Sequence, residues 1–377
     1  MGLQHPGLQP SHRSGTKRVL LYTLFGILFI VISYLSIHLI SQASNDARAI
    51  DFRIFHWSVY IHLLVALILF FLVDALRFHH ILKTVGVSLP FFDSLKLHFI
   101  NLFASAITPF TTGGGFAQLY FLSKRNVRLA DSTAAITIRT IVSIFMFISL
   151  VPVALLINHD LFRLFPTGSN VFVSVFIGLV ILAFLTMAYS LLHHPKQLKR
   201  IAFWILFNLK KKRVLRHEQY RHFLKLAFWN IDRFSQNLSI VRRASFKRLL
   251  SIFIYTFLYI VLLCSFSVIL IKGVRPNLNL IKLLTLQFVA TFITYFAPTP
   301  GATGAAEGIF FFAFSEFTPS GYMATIVLIW RFFSIYIGSI LGLFVTGIEY
   351  WKVRRQTPPY NNGNTTIAES STHENGN

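Results

Sequence analysis

Long apolar runs separated by short polar loops dominate the pattern of this chain. A bilayer core about 30 Å thick is crossed by roughly 20 apolar residues in a helix, and six stretches reach that length. The predicted spans are 19–41, 56–77, 132–157, 170–192, 249–271 and 322–348. The pattern therefore predicts an all-α polytopic membrane protein with six full spans.

Two further apolar stretches, 91–122 and 280–316, are each interrupted by Pro, Thr and Gly. Beyond the interruption, the apolar sequence resumes for only about ten residues, which is too short to cross a bilayer. Irregular backbone at membrane depth is tolerated only where protein or a water-filled cavity satisfies its polar groups. We therefore predict two re-entrant hairpins whose breaks face an interior cavity.

The distribution of charge predicts the orientation. The segment 193–248 contains fifteen Lys or Arg residues against Glu218 and Asp232, and such a basic excess is typical of a cytoplasmic segment. Its apolar residues alternate with the charges as on helices lying in the membrane interface, with a solvated basic loop as the alternative. Counting spans from this segment places both termini in the cytoplasm, the first hairpin entering from the cytoplasmic face and the second from outside.

Composition agrees with a membrane protein. The chain is 54% hydrophobic and 13% charged, which excludes an ordinary soluble domain. The net charge of +22 lies in loops beside the spans, where it indicates anionic lipid headgroups rather than nucleic acid. The predicted regions are a cytoplasmic N-terminus (1–18), a first membrane half (19–192), a basic interfacial segment (193–248), a second membrane half (249–350) and a disordered cytoplasmic tail (351–377).

The second hairpin repeats the first. A constant offset of 189 residues, without a gap, aligns a proline, a glycine and a polar residue, and a three-residue insertion then aligns an arginine in the next span. The aligned pairs are Pro109 with Pro298, Gly115 with Gly304, Gln118 with Glu307 and Arg139 with Arg331. Oppositely inserted broken helices form an inverted repeat, the architecture of transporters that alternate access around a midplane site.

Arg139 and Arg331 lie inside predicted spans, where an arginine costs about 2.5–3.5 kcal/mol on insertion scales. Each needs a partner or a function, and Glu307 is the obvious partner. One hypothesis is that the two guanidinium groups hold a lipid phosphate by bidentate hydrogen bonds, with Glu307 as a proton-coupled switch or an amine contact. The alternative is a static buried ion pair that fixes helix packing.

The turns of the hairpins supply further candidate lipid-binding residues. Their backbone amides and hydroxyls can cradle an anion, and their glycines equally suit a hinge. Neither turn is followed by the Lys-Ser/Thr of a nucleotide-binding loop, and we expect no cofactor. With Gln118, the candidates are Thr108, Pro109, Thr111, Thr112, Gly113, Gly114 and Gly115 in the first turn and Pro298, Pro300, Gly301 and Gly304 in the second.

Other polar residues receive simpler interpretations. Asp74 and Arg77 are spaced as a local salt bridge at the end of a span. The pairs His79-His80 and His193-His194 are interpreted as interfacial residues, and no metal-binding His-Glu-x-x-His spacing occurs. The sequence contains no recognisable motif for a catalytic dyad or an activated nucleophile, so no catalytic residue is predicted.

Three sequence features are similar to those of a known protein family. They are the turn Thr-Pro-Phe-Thr-Thr-Gly-Gly-Gly (108–115), the turn Pro-Thr-Pro-Gly-Ala-Thr-Gly (298–304) with Glu307 after it, and the dipeptide Trp330-Arg331. Over roughly residues 15–355, the chain resembles the flippase-like transmembrane domain of the lysylphosphatidylglycerol synthase family, the multiple peptide resistance factors. In full-length members, a soluble domain follows that transfers lysine from charged tRNA to phosphatidylglycerol. We expect this chain to lack it.

The resemblance implies a flippase or transporter of a phospholipid such as phosphatidylglycerol or lysylphosphatidylglycerol in the cell membrane, with effects on surface charge and resistance to cationic peptides. Two alternatives stay open. One is a phosphatidylglycerol lysyltransferase or its membrane subunit, with a separate soluble aminoacyltransferase, and with tRNA, as partners. The other is a structural membrane partner with static ion pairs.

Overall fold

A computed structural model describes residues 51–157 and 246–356, except 320, together with isolated positions within 31–42 and 178–232. Every regular element among these residues is helical, which confirms the all-α prediction. The predicted spans 19–41 and 170–192, the second histidine pair and the interfacial segment 193–248, except for its residues 246–248, lie outside the two described stretches.

The main helices are apolar because the sequence between the Pro- and Gly-containing turns and loops holds few charged residues. In chain order, they are α1 (Trp57–Thr84), α2 (Phe91–Ala106), α3 (Gly113–Ser123), α4 (Leu129–Ile157), α5 (Phe246–Val274), α6 (Leu280–Thr294), α7 (Ala305–Phe314), α8 (Met323–Arg331) and α9 (Ile337–Gln356). A π-helical turn, Phe332–Tyr336, joins α8 to α9, and short 3-10 turns lie at Phe52–Ile54, Pro109–Thr111, Pro300–Ala302 and Ser315–Phe317.

Four helices of the described residues are long and apolar enough to cross a membrane: α1, α4, α5 and the joined α8–α9. They coincide with four of the predicted spans. The helix α9 continues to Gln356 and so includes the first residues of the segment 351–377 that composition predicts to be disordered. The rest of that segment lies outside the described residues.

The broken segments are helical hairpins. The first hairpin comprises α2, the turn Pro109–Thr111 and α3, and the second comprises α6, the turn Pro300–Ala302 and α7. At a rise of about 1.5 Å per residue, their helices are roughly 15–24 Å long, which is less than the bilayer core. Each chain segment therefore turns back inside the protein, as predicted.

The first hairpin enters the bundle at the C-terminal end of α1, where Ser94 lies 3.4 Å from His79. Its base is also joined to the C-terminal half of α9, since Arg125 pairs with both Asp93 and Glu349. Burial by itself would raise the pKa of the Asp93 carboxyl, but the hydrogen bond and charge of Arg125 outweigh it and hold that pKa below its usual value. This ion-pair group fastens the hairpin to the last helix.

The second hairpin enters at the opposite end. A Cβ built on Gly273, at the end of α5, would lie 2.9 Å from the side chain of Val59 in the first turn of α1. The Asp51 N–H, just before α1, donates to Thr325 at the start of α8. The two hairpins thus insert from opposite ends, as predicted, and their turns contact each other inside the bundle.

Both turns adopt the same left-handed conformation. Phe110 and Gly301 have φ angles of 53° and 58°, and the next residues, Thr111 and Ala302, have angles of 52° and 56°. Three of these four residues carry a Cβ, which makes this region unfavourable for them. Such strain persists only where surrounding contacts impose it, and the contact between the two turns is one such constraint.

The turns also correct the predicted alignment of the repeat. Helices α2 and α6 begin 189 residues apart, but the left-handed residues of the two turns lie 191 apart. Helix α6 ends early, and prolines that cannot donate to a helix follow it, so two extra residues precede the second turn. The corrected equivalents are Pro109 with Pro300 and Gly113 with Gly304, in place of Pro298 and Gly115. Gln118 and Glu307 are therefore not equivalent in position.

The last helix packs closely against the first hairpin through a glycine. A Cβ on Gly342 would overlap the carbonyl oxygen of Phe99 and lie 2.8 Å from the Cβ of Phe103 in α2. Backbone atoms cannot move aside as a flexible side chain does, so this position requires glycine. Five residues further along, a Cβ on Gly347 would meet nothing within 4 Å.

We expect Gly342→Ala to destabilise the protein by about 1–3 kcal/mol, because added volume in a tight contact forces a backbone shift. Gly347→Ala is the matched control, since alanine there only gains helix propensity of up to about 1 kcal/mol. Thermal unfolding in detergent checks both variants. Equal melting temperatures for the two would contradict the close α2–α9 contact.

Candidate functional site

A cavity of about 600 Å³ lies where the two hairpin turns meet. Residues of both hairpins and of α1, α4, α5 and the π-turn line it, so its wall combines both halves of the repeat. Three arginines, Arg77, Arg139 and Arg331, belong to the wall, and no described carboxylate does. The predicted interior cavity at the helix breaks is present among the described residues.

Arg331 and Glu307 form a buried bidentate ion pair. The Nε and Nη2 atoms of Arg331 donate to the two Glu307 oxygens at 2.7 and 2.9 Å. Glu307 also accepts the Gly304 N–H at 2.6 Å, at the start of α7, and Arg331 reaches the Ala302 carbonyl at 3.3 Å. The pair therefore holds the second turn to the span after it.

Glu307 is fully buried and lies outside the cavity wall. Both its oxygens are occupied by Arg331, and one also by the backbone of the second turn. The geometry gives this carboxylate no contact with the cavity, against the expectation of an amine contact. For Glu307, the structure favours the static ion pair.

Arg139 is paired with Asp74, not with Glu307. Its Nη2 atom lies 2.7 Å from Asp74, which also receives Arg77 at 2.6 Å and His98 at 2.5 Å. We call these four residues the Asp74 group. The predicted local salt bridge of Asp74 and Arg77 exists, but it is the centre of a network joining α1, α2 and α4.

The Asp74 group carries surplus positive charge. Two guanidinium groups share one carboxylate, while the pair of Arg331 and Glu307 is neutral. Arg77 is further held by a hydrogen bond of 3.1 Å to Ser143 and lies 4.1 Å over the ring of Tyr259. With His98 neutral, one positive charge of the Asp74 group is left without a carboxylate at the cavity.

Arg139 is the most accessible of the three arginines. Its side chain is 11% exposed, against 2% for Arg77 and 3% for Arg331. Gln118 lies beside it, with Oε1 at 3.5 Å from Arg139 and Nε2 donating to the Leu97 carbonyl at 3.0 Å. Gln118 thus positions Arg139 against the first hairpin.

The predicted site residues divide into two sets. Those in the cavity wall are Thr111, Thr112, Gly115, Gln118, Arg139, Gly301 and Arg331. Those outside it are Thr108, Pro109, Gly113, Gly114, Pro298, Pro300, Gly304 and Glu307. The three prolines predicted as lipid-binding residues, Pro109, Pro298 and Pro300, therefore do not line the cavity.

The residues outside the wall shape the turns. Thr108 donates to the Ala104 carbonyl at 2.7 Å and accepts the Gly113 N–H at 2.9 Å, which bridges α2 to α3. A Cβ on Gly113 or on Gly114 would lie 2.8 Å from a carbonyl oxygen of α2. These two glycines allow the two helices of the hairpin to pack closely.

Several wall residues carry no sequence motif. Arg77 and Tyr259 lie in two different long apolar helices, and their meeting depends on helix packing. Gln287, Thr291 and Thr294 line the wall from α6. Their spacing of four and three residues places them on one helical face, which is the signal that identifies them in retrospect.

A helical membrane protein with two opposed hairpins around a basic central cavity is the class that this fold and site define. Residues 16–342 match the family described as the lysylphosphatidylglycerol synthase TM region, and the chain belongs to that family. The resemblance carried by the turn sequences is thereby confirmed. A UPF0104 membrane protein from Archaeoglobus fulgidus is 23% identical over 301 residues, covering 76% of this chain and 87% of that protein.

Proposed function

We propose that the protein moves an anionic phospholipid between membrane leaflets through the central cavity. The surplus positive charge of the Asp74 group at the cavity carries this proposal. Ionisable residues inside a membrane are costly and mark substrate pathways. A headgroup phosphate supplies the missing negative charge, and Arg139 and Arg77 are the residues that bind it.

The phosphate competes with Asp74 for Arg139. Arg139 is the arginine most exposed to the cavity, and a guanidinium can bind two oxygens at once. Asp74 keeps Arg77 and His98 as partners when Arg139 turns to the phosphate. Because of this competition, the headgroup can bind and then leave: Asp74 pairs with Arg139 again when the phosphate dissociates.

The two hairpins provide the path. They insert from opposite ends and their turns meet at the cavity, which is the arrangement that alternates access by moving one repeat against the other. The lipid tails stay in the apolar phase while the headgroup passes the turns. In this role, the protein resides in the cell membrane with both termini in the cytoplasm and alters surface charge, on which resistance to cationic peptides depends.

We expect Arg139→Gln to slow the exchange of fluorescent phosphatidylglycerol between liposome leaflets by about 10- to 100-fold, the value of a charged hydrogen bond. The variant folds, because Asp74 retains Arg77 and His98. A quencher added outside the liposomes measures the exchange. Arg275→Gln is the matched control, since Arg275 is exposed and lies outside the cavity wall. Equal slowing in both variants contradicts the proposal.

The name of the family favours a second candidate, the membrane subunit of a lysylphosphatidylglycerol synthase. It predicts no leaflet exchange by the purified wild type, together with a co-purifying soluble aminoacyltransferase that requires charged tRNA. A purely structural role predicts that Arg139→Gln leaves lipid distribution unchanged in cells. These outcomes separate both alternatives from transport.

A further inference from the structure

We infer that the transported lipid carries an uncharged, hydroxylated headgroup, such as glycerol, inositol or a sugar, on its phosphate. The inference rests on the proposed function and narrows its substrate. It excludes an amine-bearing headgroup, such as that of an aminoacylated lipid. The chemistry of the cavity wall beyond the phosphate site carries the argument.

The wall is rich in neutral hydroxyl and amide groups. Helix α6 contributes Gln287, Thr291 and Thr294, and the π-turn and the start of α9 contribute Ser334 and Ser339. Groups of this kind donate and accept hydrogen bonds without carrying charge. They match sugar or glycerol hydroxyls, which also do both.

Several of these groups lack a partner within the described part of the chain. Gln287 donates to Thr291 at 3.0 Å, while its Oε1 atom and the hydroxyls of Ser334 and Ser339 have no hydrogen-bond partner. Gln287 is 2% exposed, and a buried polar atom without a partner is costly. A hydroxylated headgroup in the cavity supplies the missing donors and acceptors after small side-chain rotations.

The neutral wall adjoins the proposed phosphate site. Arg77 lies 4.1 Å over the ring of Tyr259, and the wall also contains Tyr295, which directly follows Thr294. The phosphate and the next atoms of the headgroup can therefore be bound at the same time.

The same wall repels an ammonium group. Its charged side chains among the described residues are three arginines. Glu307 neutralises Arg331, and the Asp74 group keeps one surplus positive charge, which repels a further cation in a poorly solvated site. The carboxylates that pair with these arginines, Asp74 and Glu307, lie outside the wall. The ammonium groups of a lysyl headgroup would therefore meet no carboxylate among the described residues of the wall.

The test compares leaflet exchange of four fluorescent lipids in liposomes containing the full chain. We expect phosphatidylglycerol and phosphatidylinositol to exchange at least about tenfold faster than lysylphosphatidylglycerol. Phosphatidic acid has the phosphate without a further headgroup and reports the arginine site alone. Faster or equal exchange of lysylphosphatidylglycerol overturns the inference and leaves transport standing. Absence of exchange for all four lipids overturns transport itself.

Two variants at one position test the wall directly. We expect Gln287→Leu to slow phosphatidylglycerol about tenfold and to leave phosphatidic acid unchanged. Gln287→Glu places a carboxylate in the wall and is expected to accelerate lysylphosphatidylglycerol while slowing phosphatidylglycerol. Size-exclusion profiles check that both variants are folded. If Gln287→Leu slows all four lipids equally, or if Gln287→Glu leaves lysylphosphatidylglycerol unchanged, the neutral wall does not select the headgroup.

Discussion

Arg331→Ala is expected to destabilise the protein by about 3–5 kcal/mol, because it leaves Glu307 as a buried carboxylate without its partner. The loss includes the order of the second turn, since Glu307 also holds the Gly304 N–H and Arg331 holds the Ala302 carbonyl. Thermal unfolding in detergent measures it. Loss of lipid exchange in this variant would therefore report unfolding and not a missing phosphate ligand.

The double variant Glu307→Gln with Arg331→Met is the control for this prediction. It removes both charges at similar volume, and replacing a buried ion pair by neutral groups is often close to neutral in stability. The amide oxygen of the introduced glutamine can still accept the Gly304 N–H. A double variant that is as unstable as Arg331→Ala alone would show that the ion pair does not account for the loss.

Asp74→Asn is expected to cost a similar 3–5 kcal/mol, because Arg77 and Arg139 both lose their anion and the buried surplus rises by about one charge. Adding phosphatidylglycerol to the detergent is expected to restore part of the stability, since a ligand that binds the folded state stabilises it by mass action. Zwitterionic phosphatidylcholine at the same concentration is expected to restore less. Thermal unfolding in each lipid measures the difference.

Asp51→Asn serves as the matched control for Asp74→Asn. Asp51 is exposed and its side chain accepts the Arg53 N–H at 2.9 Å, which is a role that asparagine fills equally well. We expect its stability to stay within about 0.5 kcal/mol of the wild type. Equal losses at both positions would refute the special role of the Asp74 group, and so would an equal response of Asp74→Asn to both lipids.

The sequence by itself determined the class of this protein, the position of four described spans and the two hairpins. These follow from local physics: a helix needs about 20 apolar residues to cross a bilayer, and Pro and Gly interrupt it. The pair of Glu307 and Arg331 was also predictable. The two residues carry opposite charges, lie 24 residues apart in apolar sequence and are on consecutive helices that run in opposite directions. The surrounding sequence offers each of them few other charged partners.

Only the tertiary structure decided the partner of Arg139 and the register of the repeat. Asp74 lies 65 residues before Arg139, and their meeting depends on how α1 packs against α4, which helical spacing does not specify. The register changed because α6 ends early and the left-handed turn can form at either of two prolines. The contact between the two turns fixes the left-handed backbone conformation. This conformation, and not the residue pattern, places Pro300 rather than Pro298 at the start of the second turn.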